Sequence, residues 1–228
     1  MVSPGIDRHR APATDSVFST DTGPRPRRMA PHRRREDLIR TALRVFALRP
    51  PAEVTSEEIA READVSRALV YRYFPTMAEL RRSALEQAMS ELLEELVPPK
   101  DMPLLEQVRV ALGTFIDFAA CYAPSYPALL NAGSVVATEE TEVEVERVRH
   151  RVRELVLDRS GIEAPSSTLL LTLRCWVSVV ETAVMSWLHG QDMGRDGLAD
   201  WLVDQLVAMV TSSGASQEER DLLVPRGC

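Results

Sequence analysis

Between residues 55 and 80 the chain starts a helix three times, and each start carries its own cap. Thr55 has Glu58 three residues on, Ser66 opens the next segment, and Thr76 has Glu79 three residues on. A hydroxyl in such a place accepts a bond from an early backbone N–H, and the glutamate bonds back to the cap amide. Helices this short do not persist alone in water, so they must pack on neighbours. The spacing predicts a short helix ending near Ala63, a tight turn at Asp64-Val65, and a second short helix from Ser66 to Phe74, which Pro75 ends. A long helix follows, with Leu80, Ala84, Ala88, Leu92 and Leu96 along one face. Ahead of them Leu38, Ile39, Ala42, Leu43 and Phe46 recur at helical spacing over residues 33–48, until Arg49-Pro50-Pro51 stops that run.

The rest of the chain continues the same way, with no strand-like alternation. Leu104, Val108, Leu112, Phe115, Ala119 and Tyr122 form one stripe, and residues 139–159 carry Val148, Val152 and Leu155 on an inner face. Residues 165–188 and 197–210 make two strongly apolar helices, separated at Gly190 and Gly194. The run 169–188 has about the length of a membrane span, but Arg174 and Glu181 interrupt it, so we read a buried helix and no membrane association. The fold expected is all-α. Residues 1–32, rich in Pro, Ser, Thr and Arg, are expected to be a disordered basic extension. A three-helix domain spans 33–80, a second helical domain 81–212, and a flexible polar tail 213–228.

Charge separates the two ends. Residues 1–82 hold 16 arginines against 11 acids, whereas residues 83–228 hold 11 basic residues against 23 acids. A basic front and an acidic rear suggest that the front alone meets a polyanion. Three cysteines without CxxC spacing and four scattered histidines imply a reducing, cytoplasmic setting, with neither a metal site nor a cofactor. No nucleophile elbow, phosphate loop or HExxH zinc motif argues for an enzyme.

Two short helices joined by a tight turn, with a third across them, make a helix-turn-helix, whose later helix enters the major groove of double-stranded DNA. On that helix Val65, Val70 and Phe74 point inward, while Arg67, Ala68, Tyr71 and Arg72 lie on another face. Arginine bonds a guanine edge bidentately, and tyrosine hydroxyls at 71 and 73 reach phosphates. The segment Ser66-Arg67-Ala68-Leu69-Val70-Tyr71-Arg72-Tyr73-Phe74, followed by Pro75-Thr76-Met77-Ala78-Glu79-Leu80, resembles the recognition segment of the TetR family of regulators. Thr55, Ile59-Ala60 and Ala63 match the helix before it. The resemblance implies a homodimer on a palindromic operator, repression, and a small-molecule effector bound in the rear domain. The alternative is a helical protein-interaction module with weakened or lost DNA binding. Three positions depart from the family pattern: Asp64 replaces a usual glycine, Leu69 a small polar residue, and Met77 a phosphate-contacting lysine for which Arg81 or Arg82 would substitute.

The candidate DNA contacts are therefore Arg33, Arg34 and Arg35 of the basic arm, with Thr55, Ser66, Arg67, Ala68, Tyr71, Arg72 and Tyr73. For dimerisation the stripes Trp176, Val180, Ala183, Trp187 and Leu202, Leu206, Met209 are the candidates, with intramolecular core as the other reading. Phe115, Phe118, Tyr122 and Tyr126 either line an effector pocket or fill core. Arg174, Ser178 and Glu181 form a polar stripe that belongs to an ion pair, an interface or the ligand site, and Arg174 and Ser178 stand as ligand candidates.

Overall fold

The computed structural model of the protein describes residues 30–126, 139–190 and 193–224, with the backbone alone at 139–141. Of the extension expected over residues 1–32, residues 1–29 lie outside the described residues, whereas Pro31 and His32 already belong to the first helix, as do Arg33, Arg34 and Arg35 of the expected arm. All regular structure among the described residues is helical: α1 (Pro31–Phe46), α2 (Ser56–Glu62), α3 (Arg67–Tyr73), α4 (Met77–Glu95), α5 (Leu104–Cys121), α6 (Glu139–Ser160), α7 (Ser167–Leu188), α8 (Arg195–Ser212) and α9 (Gln217–Leu223).

The caps form as the sequence dictates. Thr55 Oγ1 accepts from Glu58 N–H at 3.3 Å, and the Glu58 carboxylate takes the Thr55 N–H at 2.9 Å. Ser66 and Thr76 cap α3 and α4 through the amides of Leu69 and Glu79. At the α2–α3 turn Asp64 adopts φ of 51°, and Val65 N–H closes back on Ala60 O at 2.9 Å. This is the left-handed cap that glycine ordinarily fills; Asp64 is the single non-glycine residue there among the described residues.

Two hydrophobic clusters organise the molecule. The first joins Leu38, Phe46, Ile59, Val70, Phe74 and Leu80, and so locks α1 to α4 around α3. The second gathers α5, α7 and α8 around Ile116, Leu173, Trp176 and Leu202. Helix α4 crosses the expected boundary at residue 80 without a break: its buried apolar residues from Leu80 to Met89 and Leu92, with Leu96 at its C-cap, all belong to the front cluster, and the last three also border a cavity shared with α5, α6 and α7. Ser125 Oγ, just beyond α5, donates to Phe46 O at 2.6 Å and ties the two regions a second time. Between α5 and α8, Arg195 grips both carboxylate oxygens of Asp117, and its guanidinium lies over Gly113, where an added Cβ would come within 2.7 Å of it.

The expected loose tail needs correction. Residues 217–223 form α9, because Ser216 and Glu219 make a capping box and Leu223 is buried in the rear cluster. Glu219 also accepts from the N–H and Oγ of Ser166, the cap of α7, at 2.7 and 3.1 Å. Helix α7 is long and apolar enough to span a bilayer (mean hydropathy 1.5), yet Leu169, Leu173, Trp176, Val180 and Val184 along it are buried in protein.

Candidate nucleic-acid interface and internal cavity

Helix α3 is held from beneath by Val70 and Phe74, each about 1 % exposed. That leaves Arg67, Ala68, Tyr71 and Arg72 facing outward, with Tyr73 half-buried against the front cluster. Two residues that the sequence reading passed over complete this face. Glu57 of α2 pairs with Arg67 at 2.8 Å, and Ser56 Oγ donates to Tyr71 Oη at 3.2 Å. The Arg67 guanidinium in turn lies 5.3 Å above the Tyr71 ring. The Ser56 bond and then the Arg67 neighbour hold the Tyr71 hydroxyl below its ordinary range, and contact with Tyr71 and Glu57 raises Arg67. The Arg67–Glu57 ion pair is exposed, and exposed pairs contribute little, so a base edge or phosphate can replace Glu57.

The other candidate contacts divide. Arg33 is exposed, and Arg34 pairs with Asp37 at 3.0 Å. Arg35, although exposed, donates to Ser83 Oγ at 2.9 Å and lies 4.9 Å from the Phe74 ring centre, so it braces α1 against α4 and the end of α3. Thr55 and Ser66 are exposed caps whose hydroxyls already serve backbone amides. Arg81, a possible substitute for the lysine absent at 77, donates to the carbonyls of Pro51 and Val54 and fastens that loop to α4.

Behind this domain lies a cavity, open at one side, between α4, α5, α6 and α7. Phe115, Phe118 and Tyr126 border it; Tyr122 faces a smaller neighbouring cavity between α1, α4 and α5. Arg174 and Ser178 do not reach it. They are exposed on the outer side of α7, three and seven residues from Leu171, which corrects their placement in a ligand site. Glu181, the third member of that stripe, faces the cavity and takes two bonds from Arg149 of α6, at 2.7 and 3.0 Å. Burial pushes the Tyr126 hydroxyl well above its usual range.

The proposed dimer stripes need a similar correction. Trp176, Val180, Leu202 and Leu206 are buried within the single chain, with Trp176 Nε1 donating to Leu202 O at 3.0 Å. They join α7 to α8 and are unavailable to a second copy. Ala183, Trp187 and Met209 are half-buried, and Trp187 Nε1 is engaged by Met193 O. The exposed stripe of α7 is instead Leu171, Arg174, Cys175, Ser178 and Thr182.

Comparison with known proteins agrees with this layout. Residues 38–84 match the family described as bacterial regulatory proteins, tetR family, and residues 104–209 match the tetracyclin repressor-like C-terminal domain. The crystal structure of a tetR-family transcriptional regulator from Streptomyces coelicolor is 33 % identical, superposes with a TM-score of 0.80, and is matched over 86 % of this chain and 88 % of that one. An HTH-type transcriptional repressor of Streptomyces coelicolor is 28 % identical over 174 residues, which are 72 % of this chain and 88 % of the relative. The regulator LfrR of Mycobacterium smegmatis, solved with proflavine, shares the fold at 19 % identity and a TM-score of 0.57, over 78 % of this chain and 96 % of that one. With both domains matched in order, and the recognition helix presenting arginine and tyrosine outward, the chain belongs to the TetR family of DNA-binding transcriptional regulators.

Proposed function

We propose that two copies of this regulator pair through the outer faces of α7 and α8, occupy a palindromic operator as a repressor, and leave it when a small apolar molecule enters the cavity. The observation that carries this reading is the continuity of α4. One end of the helix seals the recognition domain through Leu80 and Ala84, and the other lends Met89, Leu92 and Leu96 to the cavity wall. A molecule that presses on that wall moves α4, and α3 moves with it.

In the dimer, Leu171, Arg174, Cys175, Ser178 and Thr182 of α7 face the partner, joined by Trp201 of α8, which is exposed. This pairing sets the two α3 helices about 34 Å apart, one turn of duplex. Arg67 and Arg72 read base edges, Tyr71 and Tyr73 bond phosphates, and Arg33 with Arg34 approaches the backbone as α1 meets the DNA. The proflavine complex of LfrR supports the view that a fold of this kind accepts a small molecule. A repressor bound to DNA works inside the cell, and we place it in the cytoplasm.

The test needs no identified effector. Ala111 borders the cavity on α5. Substituting Ala111→Phe fills part of the space and mimics occupancy. The variant, checked for unchanged helical content, should bind a duplex from the DNA flanking its own gene about tenfold more weakly, within the usual range of such couplings. Unchanged operator affinity in a folded Ala111→Phe protein would refute release through the cavity.

A further inference from the structure

The cavity wall is apolar except for Gln107, Arg149, Arg159, Glu181 and the hydroxyl of Tyr126. Arg149 and Glu181 satisfy each other. The remaining three each hold a buried polar atom that has no hydrogen-bond partner among the described residues: Gln107 Oε1, Tyr126 Oη and Arg159 Nη1. Gln107 and Tyr126 are themselves only 7 % and 3 % exposed. Buried polar atoms nearly always have partners, because leaving one unmet is costly. Three of them on one otherwise apolar wall point to a ligand that supplies the missing partners.

Their chemistry is fixed by what the rest of each side chain does. Gln107 Nε2 donates to Met102 O at 2.8 Å, so its amide cannot flip and Oε1 can only accept. Arg159 Nη2 donates to Pro98 O at 3.2 Å, which leaves Nη1 as a donor. Both are tethered to the connection 96–103 between α4 and α5, so both serve the same end of the cavity. Tyr126 marks the other end. Its ring packs edge-on against Phe115 at 6.1 Å, and its hydroxyl feels the charges of Glu181 and Arg149. By helical rise Phe115 stands about 12 Å along α5 from Gln107, and Arg149 about 15 Å along α6 from Arg159.

We propose that the effector is an uncharged, mostly apolar molecule roughly 12–15 Å long with a polar group at each end, the span following from helical rise. One end is a carboxamide-like group whose carbonyl accepts from Arg159 Nη1 and whose N–H donates to Gln107 Oε1. The other is a hydroxyl or carbonyl that bonds Tyr126 Oη. A carboxylate head would satisfy Arg159 but turn a lone pair toward Gln107 Oε1, and it would be stripped of water in an apolar space. This inference rests on the cavity being the effector site.

Four probes separate the possibilities: 10-hydroxydecanamide, decanamide, 1-decanol and 10-hydroxydecanoate, titrated calorimetrically into the full-length protein. The first should bind tightest; loss of the hydroxyl end should cost about tenfold, the weight of one buried hydrogen bond, and loss of the carboxamide, which makes two, should cost more. Arg159→Met should cut the preference for 10-hydroxydecanamide over 1-decanol about tenfold, leaving the part that Gln107 supplies. Tyr126→Phe, which keeps the ring and its packing, should abolish the preference for 10-hydroxydecanamide over decanamide, and thermal melts would verify that both variants are folded. Equal binding of all four probes, tighter binding of the carboxylate, or binding of none overturns the proposed effector class. Binding that ignores Ala111→Phe would instead overturn the cavity as the effector site.

Discussion

The two working surfaces of this regulator treat polar groups in opposite ways. On α3 the functional side chains are exposed and already engaged with one another, Arg67 with Glu57 and Tyr71 with Ser56. In the cavity the polar atoms are few, buried and, in Gln107, Tyr126 and Arg159, unengaged. Exposed bonds exchange readily for phosphates and base edges, because water screens what is lost. Buried groups discriminate strongly, because nothing else can serve them. On the function proposed above, the front surface would exchange its bonds for those of a polyanion, and the rear one would choose a single molecule.

The contrast can be broken or sharpened by mutation. Phe74→Ala should have the largest effect, destabilising the protein by about 3–5 kcal/mol in urea unfolding, since a fully buried ring beneath α3 is lost. A smaller loss would mean that the recognition helix does not depend on the front cluster. Glu181→Leu leaves Arg149 without its bidentate partner; the pair is partly exposed, so we expect about 1–3 kcal/mol of destabilisation. Operator discrimination should survive in the folded fraction, which would separate the rear region from the reading face.

A smaller effect tests how the rear domain is closed. Burial tends to raise the Glu219 carboxyl, but the bonds from Ser166 and Ser216 outweigh it and hold the group below its ordinary range. A carboxyl depressed in the folded state stabilises fully above its unfolded value, near pH 4.5, and loses that contribution as pH falls through the folded value. The protection of α9 amides against hydrogen exchange, taken relative to the intrinsic exchange rate at each pH, should therefore fall on acidification below about pH 4.5, and do so less steeply in Glu219→Gln. The same acid response in both proteins would show that Glu219 does not fasten α9.

Local signals were legible in the sequence, and long-range ones were not. Capping is decided within four residues, so Thr55, Ser66 and Thr76 announced the starts of α2, α3 and α4, and Asp64-Val65 announced a tight turn. An apolar stripe, by contrast, states that a face is covered and not what covers it. Trp176 and Leu202 therefore read equally well as interface or core, and the bond between them settles on core. Arg149 lies 32 residues before Glu181, a distance at which spacing carries no information, so the cavity pair could not be told from the exposed Arg174 and Ser178. The contact of Arg35 with Ser83 and Phe74 is hidden for the same reason. Helix α9 is different, because its capping box at Ser216 and Glu219 was visible, but the polarity around it suggested a loose tail.

The most direct test of DNA reading by α3 is fluorescence anisotropy with two duplexes, one from the DNA flanking the gene and one of scrambled sequence, using wild type and Arg67→Ala. If Arg67 contacts base edges, the wild type prefers the native duplex, and Arg67→Ala loses about ten- to a hundredfold of that preference while its affinity for the scrambled duplex changes far less. An Arg67→Ala protein with undiminished preference for the native duplex would contradict base reading by the outward face of α3.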